Sequence, residues 1–195
     1  PATQEAMIGE LLTIAGQCDG VRCDMAMLVL PDVFERTWGR RAPLFWPEAT
    51  RRVRERALGF RFMAEVYWDL EWTMLQQGFD YAYDKRLYDR LREGHARQVR
   101  EHFHAGLDYQ DKLARFLENH DEPRAADSLG IERSRPAAVM VCTLPGATLL
   151  HDGQFIGRQV KLPVQLGRQP YEPANEELKA FYSLILGETR SAIYQ

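Results

Sequence analysis

The sequence has 195 residues, 45% of them hydrophobic and 11% aromatic, enough to bury the core of an ordinary domain. With 25 Lys and Arg against 28 Asp and Glu, a formal net charge of −3, it lacks the basic excess on which nucleic-acid binding rests, and no stretch is apolar for long enough to span a bilayer. Three cysteines, Cys18, Cys23 and Cys142, are an odd count in apolar or strand-like surroundings, which argues against a disulfide framework and for reduced thiols, as in the cytoplasm.

In chain order, 2–15 reads as a helix with Met7, Leu11, Leu12 and Ile14 on its apolar side. Gly20-Val21-Arg22-Cys23-Asp24 is a short strand-like run with polar groups at its end, and 30–46, rich in Pro, Trp and Arg, reads as irregular. Pro47 opens a helix through about Leu58, as suits proline in a first helical turn. Its arginines Arg51, Arg52, Arg54 and Arg56, interrupted by Glu55, are read as a solvated face rather than a phosphate-binding patch.

A strand over 60–64 follows, then a helix over 69–77 stopped by Gly78, and a third strand over 79–83. The stretch 85–113 holds two helical pieces, 115–117 is the fourth strand, and 135–144 is a helix ended by Pro145-Gly146. The last strand is placed at 148–150. Asn175 is a plausible N-cap for a closing helix to Leu186, with Glu176 and Glu177 in its first turn.

Five strand and helix units in series make an α/β protein with parallel strands. A complete (β/α)₈ barrel needs about 250 residues. The five units are therefore an open sheet in their own right or a barrel whose first strands are missing, and a start at Pro1 rather than Met favours the second. A leader on a longer precursor would not be visible here.

In parallel α/β barrels the site lies where the strands end at their C-terminal side. Three such ends carry an acid: Asp24, Glu65 and Asp121. One strand-end acid is more often a helix cap or a surface charge. Three at successive strand ends, in apolar and aromatic surroundings, suit acetal cleavage, which needs one protonated carboxyl for the leaving oxygen and one carboxylate for the oxocarbenium ion.

The words around these acids resemble known motifs. Gly20-Val21-Arg22-Cys23-Asp24-Met25-Ala26 is similar to the fourth-strand motif of the α-amylase superfamily, and Met63-Ala64-Glu65-Val66-Tyr67 to its fifth-strand motif. Phe116-Leu117-Glu118-Asn119-His120-Asp121-Glu122-Pro123-Arg124 resembles the seventh-strand motif, and Leu144-Pro145-Gly146-Ala147-Thr148-Leu149-Leu150 the passage into the eighth strand. Gly153 to Gly157 resembles the small-residue turn after that strand, so the likeness covers essentially the whole chain.

The resemblance implies a partial TIM (β/α)₈ barrel over 1–195, approximately strands 4 to 8 with their helices, whose missing half-barrel lies in a parent chain. It implies a retaining glycosidase acting on α-glucans or maltooligosaccharides; the sequence singles out no cofactor and no metal ligand, and leaves calcium dependence open. Asp24 would be the nucleophile, oriented by Arg22, and Glu65 the acid/base; Asp121 and His120 would grip the sugar ring. A glycosyltransferase acting on α-glucans, or a non-catalytic carbohydrate-binding relative, are the alternatives.

The chain departs from the family pattern in three places. Met27-Leu28 stands where many members have Lys-His, Asp152-Gly153-Gln154 replaces a common Tyr-Gly-Glu, and the third-strand motif has no counterpart. His95, His102 and His104 share a helical stretch but poorly share a face, and read as surface histidines rather than metal ligands. Trp38, Trp46, Trp68 and Trp72 could include a sugar-stacking platform, with packing the likelier role for each, and Glu118 reads as a structural hydrogen-bonding residue.

Overall fold

The computed structural model describes residues 2–190, which divide into two compact units with the boundary between Lys85 and Arg86. Among the described residues no helix is long and apolar enough to cross a membrane.

The first unit runs α1 (Ala2–Ala15), β1 (Gly20–Cys23), a 3-10 turn (Ala26–Val29), α2 (Pro31–Trp38), α3 (Trp46–Arg56), β2 (Arg61–Ala64), α4 (Glu71–Gln76) and β3 (Tyr81–Tyr83). Its strands are parallel, with Arg22 level with Met63 and Cys23 with Ala64, so β1 and β2 end side by side. A β-carbon on Gly20 would meet the Arg61 carbonyl oxygen at 2.6 Å, so glycine is what lets β1 start this close to β2. The core includes a run of edge-on aromatic contacts, Phe60 to Phe62 at 5.2 Å, Phe62 to Phe79 at 6.0 Å and Phe79 to Trp46 at 4.8 Å.

Three sequence expectations are corrected in this unit. Helix α1 buries Ile8, with the expected Leu11 and Leu12 half-buried on the same face, whereas Met7 and Ile14, also expected there, are exposed. The stretch 30–46 is not wholly irregular: Pro31 at the first helical position starts α2, and Gly39, in the left-handed region at φ 66°, ends it. The arginines of α3 are not all solvated, since Arg54 is half-buried, pairs with Asp80 at 2.8 Å and lies over the Phe62 ring, while Asp80 also accepts the Phe62 N–H.

The second unit contains α5 (Lys85–Glu93, from the unit boundary), α6 (Ala96–His102), α7 (Leu107–Gln110), β4 (Leu113–Arg115), α8 (Ala125–Ser128), α9 (Gly130–Thr143), β5 (Ala147–Thr148) and α10 (Glu176–Glu188). A 3-10 turn at Gln154–Ile156 follows β5. Strand β4 pairs with β5 in parallel, Ala114 against Ala147 and Arg115 against Thr148. Leu117, Ala138, Val141, Leu178, Tyr182 and Ile185 form the core under α9 and α10. Asn175 caps α10 as expected, its side-chain oxygen accepting the Leu178 N–H at 2.9 Å.

Here too boundaries move. The stretch 85–113 yields three helices rather than two, and the fourth strand is 113–115, two residues earlier than expected. Arg115 is fully buried, its guanidinium donating to the Gln110 and Pro145 carbonyls. The helix expected at 135–144 begins at Gly130 and carries Pro136 inside it, and β5 lies at 147–148. Gly146 turns the chain into β5 at φ 98°, where a β-carbon would strike the Leu113 carbonyl at 2.4 Å.

Candidate active site

In the first unit, the parallel register sets the ends of β1 and β2 level, and backbone bonds lace the chain beyond them. Glu65 N–H donates to Cys23 C=O and Ala26 N–H to Glu65 C=O, both at 3.0 Å. Asp24 and Glu65 are thereby held next to each other just past the strand ends. Their surroundings differ sharply: the Asp24 side chain is 78% exposed, while Glu65 is 3% exposed.

One guanidinium joins the two acids. Arg22 Nη1 donates to Asp24 Oδ1, and Arg22 Nη2 stands 3.0 Å from Glu65 Oε2. From the next strand, the Tyr83 hydroxyl accepts from Arg22 Nε at 3.3 Å. Burial is the largest influence on the Arg22 pKa and works against its charge, but the bonds to Tyr83 and Asp24 and the nearby Glu65 outweigh it and hold the guanidinium above its ordinary range.

Glu65 is further satisfied by the Met25 N–H at 2.8 Å on Oε2 and the Tyr67 hydroxyl at 2.8 Å on Oε1. Enclosed by donors, it keeps one orientation, whereas Asp24 faces the open side. Met25, Trp68 and Asp69, just after the two acids, take left-handed φ values of 41°, 62° and 61° that non-glycine residues adopt at a cost. Cys23, buried directly before Asp24, has its thiol pushed up to about 12 by desolvation, with Arg22 pulling slightly the other way.

In the second unit, Phe116 and Leu117 continue past β4 into the core and deliver Glu118-Asn119-His120-Asp121. Asn119 Oδ1 accepts the N–H groups of Asp121 (2.8 Å) and Glu122 (2.9 Å), closing a tight turn that presents the next two side chains outward. His120 Nε2 lies 3.0 Å from Asp121 Oδ2, both side chains roughly half-exposed.

Behind that turn sits a buried ion pair. Glu118, 1% exposed, accepts from Arg124 Nη1 at 2.6 Å and from the Ala125 N–H at 2.7 Å, and His151 Nδ1 lies 3.2 Å from the same carboxylate. Arg124 Nη1 also donates to the Asp152 carbonyl at 2.6 Å, tying the turn after β4 to the turn after β5. The structural reading of Glu118 agrees with these contacts. Gln154, at the departure from Tyr-Gly-Glu, likewise serves the fold: its side chain donates to the Tyr182 hydroxyl at 2.8 Å and accepts the His151 N–H at 3.2 Å.

The remaining sequence candidates scatter. His95 pairs with Glu93 at 3.1 Å, His102 Nδ1 lies 3.1 Å from Arg90 Nη1, and His104 is exposed. Trp46 is a core residue whose indole N–H donates to the Ala26 carbonyl at 2.8 Å, while Trp38, Trp68 and Trp72 are exposed. Cys18, Cys23 and Cys142 are free thiols. Residues that sequence reading did not single out are Tyr83 and Tyr67, which hold Arg22 and Glu65, and Arg124 and His151, which hold Glu118. Tyr67 and Arg124 lie inside quoted motifs, so their position was the available signal.

No protein-family model matches the chain. Over 177 residues it is 30% identical to the α-amylase MalA of Haloarcula japonica, an alignment that takes in 85% of this chain and 24% of that protein. This likeness to an α-amylase agrees with the α-amylase superfamily resemblance of the strand-end motifs. The chain spans about a quarter of the length of that curated relative and just under half of the similar solved structures.

Those structures share the superfamily fold. The debranching enzyme of Nostoc punctiforme, soaked with acarbose, matches 98% of this chain with 45% of its own, at a TM-score of 0.76 and 17% identity. The maltogenic α-amylase AmyB of Thermotoga neapolitana matches 98% with 44% of its own, at 0.73 and 24% identity. The five short parallel strands and their helices are thus part of a (β/α)₈ barrel of the α-amylase type, and the acid-bearing strand ends lie at the side where superfamily barrels bind substrate.

Proposed function

We propose that the protein carrying this chain is a retaining glycosidase that cleaves α-glucosidic bonds in α-glucans or maltooligosaccharides through a covalent glycosyl-enzyme. The observation that carries the reading is Arg22, one guanidinium hydrogen-bonded to the Asp24 carboxylate and ion-paired with that of Glu65. A single guanidinium that reaches both carboxylates sets them near one another, which supports the pair of acids about 5 Å apart that a retaining mechanism uses. The acarbose soaked into the Nostoc relative supports an oligosaccharide as the substrate class.

In the first displacement, an Asp24 carboxylate oxygen attacks the anomeric carbon as its bond to the leaving oxygen breaks, and Glu65 gives its proton to that oxygen. In the second, water attacks the same carbon, the Asp24 ester bond breaks, and Glu65 takes the water's proton, restoring both acids. The exposure of Asp24 leaves it open to a sugar, and the Met25 N–H and Tyr67 hydroxyl keep Glu65 aimed. By family resemblance, Asp121 and His120 bind ring hydroxyls most tightly in the distorted transition state.

The test is turnover of maltooligosaccharides by the full protein. Asp24→Asn and Glu65→Gln should each lower kcat by several orders of magnitude, with folding unchanged. Wild-type turnover in either variant would refute the assignment. Products longer than the starting sugar would mark glycosyl transfer by the same site.

A further inference from the structure

Between the 3-10 turn Gln154–Ile156 and α10, residues 158–174 form neither helix nor strand. This segment is nevertheless tied down at both ends. The Glu172 carboxylate accepts the N–H groups of Gln159 at 2.8 Å and Val160 at 3.3 Å, and Asn175 N–H donates to the Ile156 carbonyl at 3.0 Å. The segment is therefore a strap closed on itself, and Lys161 is the residue that follows the pinned pair.

The Lys161 ammonium donates to the backbone carbonyl of Asp121, 40 residues earlier in the chain. Asp121 is thus held on both sides of its α-carbon, at the N–H by Asn119 Oδ1 and at the C=O by Lys161. Its side chain meets His120 Nε2 in addition. Stability does not account for the lysine contact. Ordering a long side chain costs rotamer entropy, and a hydrogen bond at an exposed site contributes little against it. What the contact does fix is the orientation of one carboxylate-bearing residue.

Resting on the reading of Asp121 as a ring-binding carboxylate, we propose that Lys161 is a positioning residue for Asp121, delivered by a strap that Glu172 pins. Contacts from Asp121 are worth most when the sugar is distorted, so letting its backbone drift lowers kcat and leaves ground-state binding nearly intact. Misplacement by a fraction of an ångström is enough for a measurable loss.

The experiment compares steady-state kinetics on maltooligosaccharides for the full protein and for Lys161→Met, Lys161→Arg, Lys179→Met and Asp24→Asn. Lys161→Met should lose roughly ten- to a hundredfold in kcat with KM changed by less than about twofold, and Lys161→Arg, which keeps a donor at that reach, should recover most of the loss. Lys179→Met, an exposed lysine on α10, should match wild type, and the unfolding midpoints of the lysine variants should coincide.

Wild-type kcat in Lys161→Met, with Asp24→Asn inactive, would overturn the proposal while leaving the functional reading in place. So would a raised KM at unchanged kcat, which would make Lys161 a substrate contact, or a drop in unfolding midpoint that Lys161→Arg fails to restore. Activity in Asp24→Asn would overturn the functional reading, and this proposal with it.

Discussion

Replacing Arg124 by Met should destabilise the protein far more than any surface substitution. The Glu118 carboxylate is fully buried and relies on Arg124 Nη1 at 2.6 Å, with the Ala125 N–H at 2.7 Å and His151 at 3.2 Å as its other partners. Removing the cation leaves a buried charge with too few donors, a change that costs about 3–5 kcal/mol. It also deletes the bond to the Asp152 carbonyl, worth about 1 kcal/mol more. Against a total stability of about 5–15 kcal/mol, that is a large fraction.

The assay is urea unfolding of the full protein, following the midpoint for Arg124→Met, Glu118→Leu and the pair together. The double variant, with neither charge left in the core, should be more stable than Arg124→Met alone, giving a coupling energy of a few kcal/mol. A loss below about 1 kcal/mol in Arg124→Met, or a double variant whose cost equals the sum of the singles, would refute the account of this pair.

Asn175→Ala should cost about 1 kcal/mol, read from the same unfolding curves, because it removes the cap on the Leu178 N–H, and Asn175→Asp should restore it. Alkylation of the native protein at pH 8 should label exposed Cys18 and spare Cys23, as peptide mapping would show. Burial pushes the Cys23 thiol up to about 12, so only about one molecule in ten thousand carries the thiolate at that pH, and labelling of Cys23 should rise only as the pH approaches 12 or the protein unfolds.

Much of the fold was legible because parallel strands and their helices alternate visibly along the chain, and because Gly78, Pro47 and Asn175 punctuate it by well-understood local chemistry. What was missed has physical causes. Helix α2 carries its start and stop signals, Pro31 and Gly39, but the Trp, Pro and Arg around them drown the apolar period. Strand β4 was expected to start at Arg115 and run through the apolar pair Phe116 and Leu117, whereas it starts at Leu113 and ends on Arg115, a charge that the backbone carbonyls of Gln110 and Pro145 satisfy inside.

The acids themselves were singled out by strand-end logic and family likeness. Their supports were not, because they come from far along the chain: Tyr83 lies 61 residues from Arg22, His151 lies 33 from Glu118, and Lys161 lies 40 from Asp121. Only folding brings these partners together. Spacing along a sequence carries no record of which carbonyl a lysine will reach.

The most direct test of the proposed chemistry is to catch the glycosyl-enzyme. A maltosyl fluoride carries a leaving group that needs no proton, so Glu65→Gln should still form the ester with Asp24 but lack the base that activates water to release it. Mass spectrometry of the digested Glu65→Gln protein should then find a maltosyl unit on the peptide containing Asp24. A sugar attached to another residue, or turnover of the fluoride with inversion and no adduct, would contradict the account.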